Sequence, residues 1–135
     1  MRELSWQAMT REYPAPCVVA GWLPREDAAA GLGEVRRSLL GRLARALPLS
    51  GDYAIAEIVE RDGAYIQCGL ALASDAADLA DAVGAAVSGS DAPWARHWRF
   101  RFDEAAAAAI ETALGVPSET LLHAANRQRS PENPR

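Results

Sequence analysis

Near the C-terminal end of the chain, Trp94 to Phe102 reads WARHWRFRF, with basic and aromatic side chains in alternation. A strand turns successive side chains to opposite faces. Trp98, Phe100 and Phe102 would then enter a core, while His97, Arg99 and Arg101 form a row on the other side. Arg99 and Arg101 would project about 6.6 Å apart, from the rise of a strand. That spacing is close to the separation of neighbouring phosphates and suits two carboxylates equally well. Tyr65 and Gln67 fall on a parallel row of the same sheet. Arginines beside an aromatic ring on a sheet can take phosphates by charge and bases by stacking. Tyr65, Gln67, His97, Arg99 and Arg101 are therefore the candidate binding residues, and nucleic acid or a protein partner is the candidate ligand. An ordinary solvated face, its arginines paired with carboxylates, would show the same pattern.

Other chemistries find less support in the residues. Cys17, Cys68, His97 and His123 are scattered one per element, without the close spacing that holds two metal ligands on one local frame, so no metal or other cofactor is expected. Asp75, Asp78 and Asp81 stand at i, i+3 and i+6, and an acidic stripe near a helix N-terminus is expected to be a solvated face. Gly31-Leu32-Gly33 opens like a dinucleotide fingerprint, but it lacks the third glycine and falls inside an expected helix. No serine stands in a G-x-S-x-G turn. A small enzyme would have to assemble its site from Glu57, Tyr65, Gln67 and His97.

With 135 residues the chain has room for one domain with a modest core. It is 50% hydrophobic and 24% charged, which is globular rather than disordered usage. No apolar run approaches the roughly 18 residues of a membrane span, and nothing at the N-terminus reads as a signal peptide. Two cysteines make no disulfide framework, so a cytoplasmic setting is expected. All 14 basic residues are arginine, which fits a GC-rich genome as well as selection for bidentate contacts. The net charge of −4 argues against wholesale coating of nucleic acid and leaves a local basic row as the electrostatic feature.

The elements that must position the row follow from periodicity. Residues 1–14 are ambiguous, since Leu4, Ala8 and Met9 sit at helical spacing and Trp6 does not. Cys17 to Trp22 is an apolar, β-branched run that predicts a first strand. Pro24 to Leu47 predicts one helix, with Ala28, Leu32, Val35, Leu39, Leu43 and Leu47 as its buried stripe and Arg37, Arg42 and Arg45 towards water. Tyr53 to Glu60 and Ala64 to Leu72 predict a hairpin around Asp62-Gly63, a two-residue turn signal. That register places Glu57 among Ile55, Val59, Ile66, Cys68 and Leu70; a bulge at the glycine would turn it outward. Ser74 is a candidate cap for a helix from Asp75 to Val87, followed by a loop from Ser88 to Pro93 and the strand bearing the basic row. Asp103 would cap a helix through Leu114, stopped by Gly115 and Pro117. A last short helix to Asn126 completes a single domain over 1–126, and 127–135 form a polar tail.

Strand, helix, strand, strand, helix, strand is the β-α-β-β-α-β order of an α+β, ferredoxin-like fold. A four-stranded antiparallel sheet is expected, with strands one and three central and strand four beside strand one. The alternative is a three-layer sandwich whose second sheet face is covered by the terminal segments. The expected core includes Val35, Leu39, Leu43, Ile66, Leu70, Trp98, Phe100 and Phe102.

The RNA-recognition module shares this strand order, with Tyr65 in Gly63 to Cys68 at one of its aromatic positions. A longer stretch, from Cys17 to Leu114, resembles the HUH-type replication-initiator and relaxase domains of plasmids and phages. The leucine-rich helix, the hairpin AEIVERDGAYIQCGLAL, the acidic helix and WRFRF before a further helix carry this resemblance. In that family two histidines on the strand after the hairpin bind a metal, and a tyrosine on a later helix attacks DNA. Here the histidine positions read Tyr65-Ile66-Gln67, and the helix DEAAAAAIETAL has no tyrosine. The resemblance thus implies a metal-free, non-cleaving relative. The sequence as a whole points to a non-enzymatic binding domain that uses an open sheet face, with an inhibitor, an adaptor or a homodimer using the same face as the alternatives.

Overall fold

The protein is described by a computed structural model over residues 1–84, 86–87 and 97–115. Its elements are β1 (Glu3–Leu4), α1 (Trp6–Glu12), β2 (Cys17–Pro24), α2 (Arg25–Ala29), α3 (Leu32–Ala46) and β3 (Tyr53–Glu60). They continue with β4 (Gly63–Leu70), α4 (Ala73–Val83), β5 (Ala86–Val87), β6 (His97–Arg101) and α5 (Glu104–Ala113). The strands form one six-stranded sheet of order β1-β3-β4-β2-β6-β5. The fold is α+β. The expected loop at Ser88 to Pro93, the strand residues Trp94 to Arg96, the last helix with His123, and the tail 127–135 lie outside the described residues.

The four long strands keep the expected neighbours, with β2 and β4 central and β6 beside β2. The sheet is not the antiparallel ferredoxin-like one, however: β6 runs parallel to β2. The cause is β5, which follows α4 and pairs antiparallel with β6. This extra reversal flips the direction in which the chain enters the last long strand.

On one face of the sheet, Cys17 and Val19 of β2, Tyr53 and Ile55 of β3, and Ile66, Cys68 and Leu70 of β4 meet three helices. Leu39, Leu40, Leu43 and Ala44 come from α3, Leu79 and Val83 from α4, and Ala107 and Ile110 from α5. Each large side chain fully withdrawn from water here contributes about 1.5–3 kcal/mol. Both cysteines are buried and neither is in a disulfide; burial pushes the Cys68 thiol well above its usual pKa.

The expected helix from Pro24 to Leu47 is interrupted. Gly31 takes φ +85° between α2 and α3, a conformation open mainly to glycine. Gly33 then lies against the Glu57 carboxylate, where a Cβ would collide with it. The glycines that mimic a nucleotide fingerprint thus serve a helix break and a close approach. With the phase reset, Val35 is exposed rather than in the core, and Arg36 is buried with its guanidinium 5.7 Å from the Phe102 ring centroid.

The hairpin signal also lands differently. Glu60 pairs with Gly63 and Ile58 with Tyr65, so Arg61 and Asp62 form the turn. Gly63 is already a strand residue, placed where a Cβ would meet the Leu23 carbonyl and the Trp22 ring. The glycine answers steric crowding and not a demand for positive φ. The pairing slips by two residues, which preserves the faces, so Glu57 points to the helix side without a bulge. Val59 shares that side but lies beyond the helices and is 75% exposed.

Two carboxylates tie the connections down. Asp75, expected in water, is buried; it accepts from the Ser50 and Gly51 amides at 3.1 and 2.8 Å, fastening the approach to β3. Ser74 does not cap α4, which begins one residue earlier, at Ala73. Asp103 does cap α5, accepting from the Ala106 amide at 2.9 Å. Asp52 holds the N-terminal segment: the Arg2 guanidinium donates to it at 2.7 Å, the Arg2 amide at 3.0 Å and the Tyr13 hydroxyl at 2.8 Å. The ambiguous N-terminus thereby becomes β1, parallel to β3, followed by α1 on the second sheet face. There the Trp6 ring sits against Gly69 and Met9 is fully buried.

Hydrogen bonds from Arg2 first, and from Tyr13 next, lower the Asp52 pKa from 3.8 to about 2. A depressed carboxylate stabilises the fold above its unfolded pKa and loses that contribution as pH falls through the folded value. Thermal stability should therefore fall between about pH 4 and pH 2, and Asp52→Asn should flatten that part of the profile. Parallel melting curves across this range check it. An unchanged slope in the variant would show that the clamp does not govern acid stability.

Candidate functional site

The second face of the sheet is divided between two tenants. α1 covers the end near Ala54, Gly69 and Val18, all of them buried. Beyond α1 the face carries larger, half-exposed side chains, and the cross-strand register orders them into rows. Arg101, Trp22, Tyr65 and Ile58 lie side by side across β6, β2, β4 and β3. Arg99, Ala20, Gln67 and Ala56 form the next row, and His97 and Val18 begin the third.

All five candidate residues share this face. His97, Arg99 and Arg101 are exposed, and Tyr65 and Gln67 are half-buried. The strand that carries the basic row has the expected parity because Phe102 is wholly buried and Trp98 and Phe100 are half-buried on the helix side. Gly21, between the β2 core residues, makes room for the last two rings; a Cβ there would stand 2.6 Å from Phe100 and 2.7 Å from Phe102. The same substitution of small for large works on the open face. Ala20, the cross-strand neighbour of Arg99, leaves space for the arginine to lean across β2, and its guanidinium lies 5.4 Å from the Tyr65 ring centroid. At an exposed site such a contact is worth about 0.5–1 kcal/mol. Trp22 meets Tyr65 at 4.9 Å between centroids, tilted by 59°.

Trp22 is the residue that the sequence reading passed over. Its signal is the alternation of CVVAGW itself: Cys17, Val19 and Gly21 take the core side, so Trp22 must share the face of Val18 and Ala20. Its ring and Tyr65 wall a shallow cavity of about 260 Å³ whose other lining residues are Glu60, Arg61 and Asp62 of the turn. Glu57 is absent from this surface. It lies on the helix side, against Gly33, so Glu57, Tyr65, Gln67 and His97 are not brought together as one site.

The sequence matches no protein-family model, and no curated protein or solved structure matches it. The site must therefore be judged on its own geometry. Among the described residues no group of three or more histidine, cysteine or acidic side chains could hold a metal ion. No described helix is long and apolar enough to cross a membrane. A concavity of about 840 Å³ lies between α3 and the outer edge of β3 and includes none of the five candidates. What the open face does offer is two aromatic rings, one arginine already stacked on a ring, a second arginine one row away and an amide in the row of the first. Such a surface can stack on a planar group and neutralise anions beside it.

Proposed function

We propose that this protein is a non-enzymatic binding module whose open sheet face holds single-stranded nucleic acid. The observation that carries the reading is the cluster of Arg99, Tyr65 and Trp22, contiguous across β6, β2 and β4. Each supplies what a flexible polyanion with exposed bases requires. Tyr65 and Trp22 offer ring area for stacking, and Arg99 and Arg101 offer charge at the spacing of a sugar-phosphate repeat. Gln67 adds a donor and an acceptor in the Arg99 row, and His97 extends the edge. Such platforms bind with little sequence preference, because every base has a π-face. A metal-free, non-cleaving role agrees with the residues at Tyr65-Ile66-Gln67.

Removing the central ring tests this directly. Tyr65→Ala should weaken binding to short fluorescently labelled single-stranded DNA or RNA by roughly 1–3 kcal/mol. Tyr65 is half-buried, so the variant should keep its fold, which circular dichroism would check. Full affinity in a folded Tyr65→Ala variant would remove stacking from the account. A protein partner with an acidic surface is the competing occupant. It would reveal itself by a shallow salt dependence and by sensitivity to the apolar neighbours Trp22 and Ile58.

A further inference from the structure

Among the described residues, the outer edge of β3 is paired only at its start. β1 pairs with Tyr53 and Ala54, and the chain then departs at Ser5 into α1. The Tyr53 amide donates outward to the Arg2 carbonyl at 3.0 Å. In an antiparallel pair the backbone groups of successive residues point alternately to either side. Glu57 and Val59 therefore direct their N–H and C=O groups to this edge, beyond the reach of β1. Val59 is 75% exposed here, although it shares a face with the core residues of β3. Such an edge is a template for another strand. It is bordered by the 840 Å³ groove along the flank of α3, where Glu34, Arg37, Ser38 and Gly41 face it.

We infer that a second copy of this chain occupies the edge, adding its own β3 antiparallel to the first about a two-fold axis at Val59. Charge selects the occupant and the register. With the axis at Val59, that valine meets its own counterpart, and Glu57 stands opposite the counterpart of Arg61. The contact then holds two opposite-charge pairs around an apolar centre, each favourable across a strand pair. Moving the axis to Glu60 would oppose two glutamates, and moving it to Ile58 would leave both Glu57 and Arg61 without an opposite charge. The register also fits the chain's own strand. The five residues Glu57 to Arg61 pair with their counterparts, and the partner's turn stops opposite Ala56, short of the end of β1 opposite Ala54. Two-fold pairing of this isologous kind is the commonest form of self-association. It keeps both basic rows on the same side of one continuous sheet, with the two β6 strands roughly 34 Å apart by strand spacing. The inference does not depend on what that face binds.

The test is the mass of the whole chain in solution, measured by sedimentation equilibrium from micromolar to millimolar concentration. A concentration-dependent dimer is expected. Val59→Lys and Arg61→Glu lie at exposed positions and should each raise the dissociation constant at least about tenfold without altering the circular dichroism spectrum. The exchange Glu57→Arg with Arg61→Glu should restore association; if that pair fails to fold because Glu57 packs on Gly33, the two single variants decide alone. A chain that stays monomeric throughout would overturn the inference. So would a dimer insensitive to both single variants, a higher oligomer, or an edge filled only by an unrelated polypeptide.

Discussion

Phe102→Ala should destabilise the fold by about 3–5 kcal/mol, the range for deleting a fully buried phenylalanine. Phe102 has no exposed surface and sits where β6 ends beneath the helices. Its ring meets Phe100 at 5.0 Å and carries the Arg36 guanidinium on the other contact at 5.7 Å. Truncation would leave a void beside backbone at Gly21, which has no side chain to move in, and would take a favourable ring from a buried cation. Among the described residues the Arg36 Nε has no hydrogen-bond partner, so that cation depends on its surroundings more than most. A domain of this size has a net stability of roughly 5–15 kcal/mol, so the loss is a large share of the whole. Urea unfolding with unchanged slope would report it. Phe100→Ala should cost less, because Phe100 is only half-buried. Equal costs would mean that β6 does not pack as described.

Arg99→Glu with Arg101→Glu should abolish binding of single-stranded nucleic acid while leaving stability nearly unchanged. Both side chains are exposed, and neither forms an ion pair with a described residue. The double substitution replaces two positive charges with two negative ones, in a chain already at −4. It removes the phosphate contacts and the arginine that rests on Tyr65 in one step. Like charges placed against a polyanion repel it as well. Melting temperature and affinity should thus separate cleanly in this variant: the first holds, the second disappears.

The parity of the last strand was legible in advance because WRFRF alternates without interruption, and a period of two leaves only one choice of face. The central placement of β2 and β4 followed from element order. The strand direction of β6 did not, since β5 has two residues and no apolar run announces it. The hairpin register slipped for a physical reason: Asp-Gly ordinarily marks a turn that needs positive φ, whereas Gly63 is small because Trp22 and the Leu23 carbonyl crowd it. The same confusion affected Gly31, whose left-handed conformation splits a helix that a uniform leucine stripe made look continuous. Val35 left the core as a consequence. Asp75 looked like one of three solvated acids because its partners, the Ser50 and Gly51 amides, are distant in sequence. Of the site, the five polar and aromatic residues could be placed by alternation alone. The contact of Arg99 with Tyr65 across Ala20 could not, since it depends on which strands are neighbours and on a small residue between them.

The salt dependence of single-stranded DNA and RNA binding, measured on the parent protein and on the Arg99→Glu, Arg101→Glu variant, tests the central claim most directly. Each phosphate contact on a single strand contributes a slope of about −0.7 in the logarithm of affinity against the logarithm of salt. Two arginine contacts therefore predict a slope of at least about −1.4 for the parent, and no measurable binding by the variant. Equal, weak binding of the two proteins at low salt, with a flat salt response, would contradict the account and assign the open face to a protein partner.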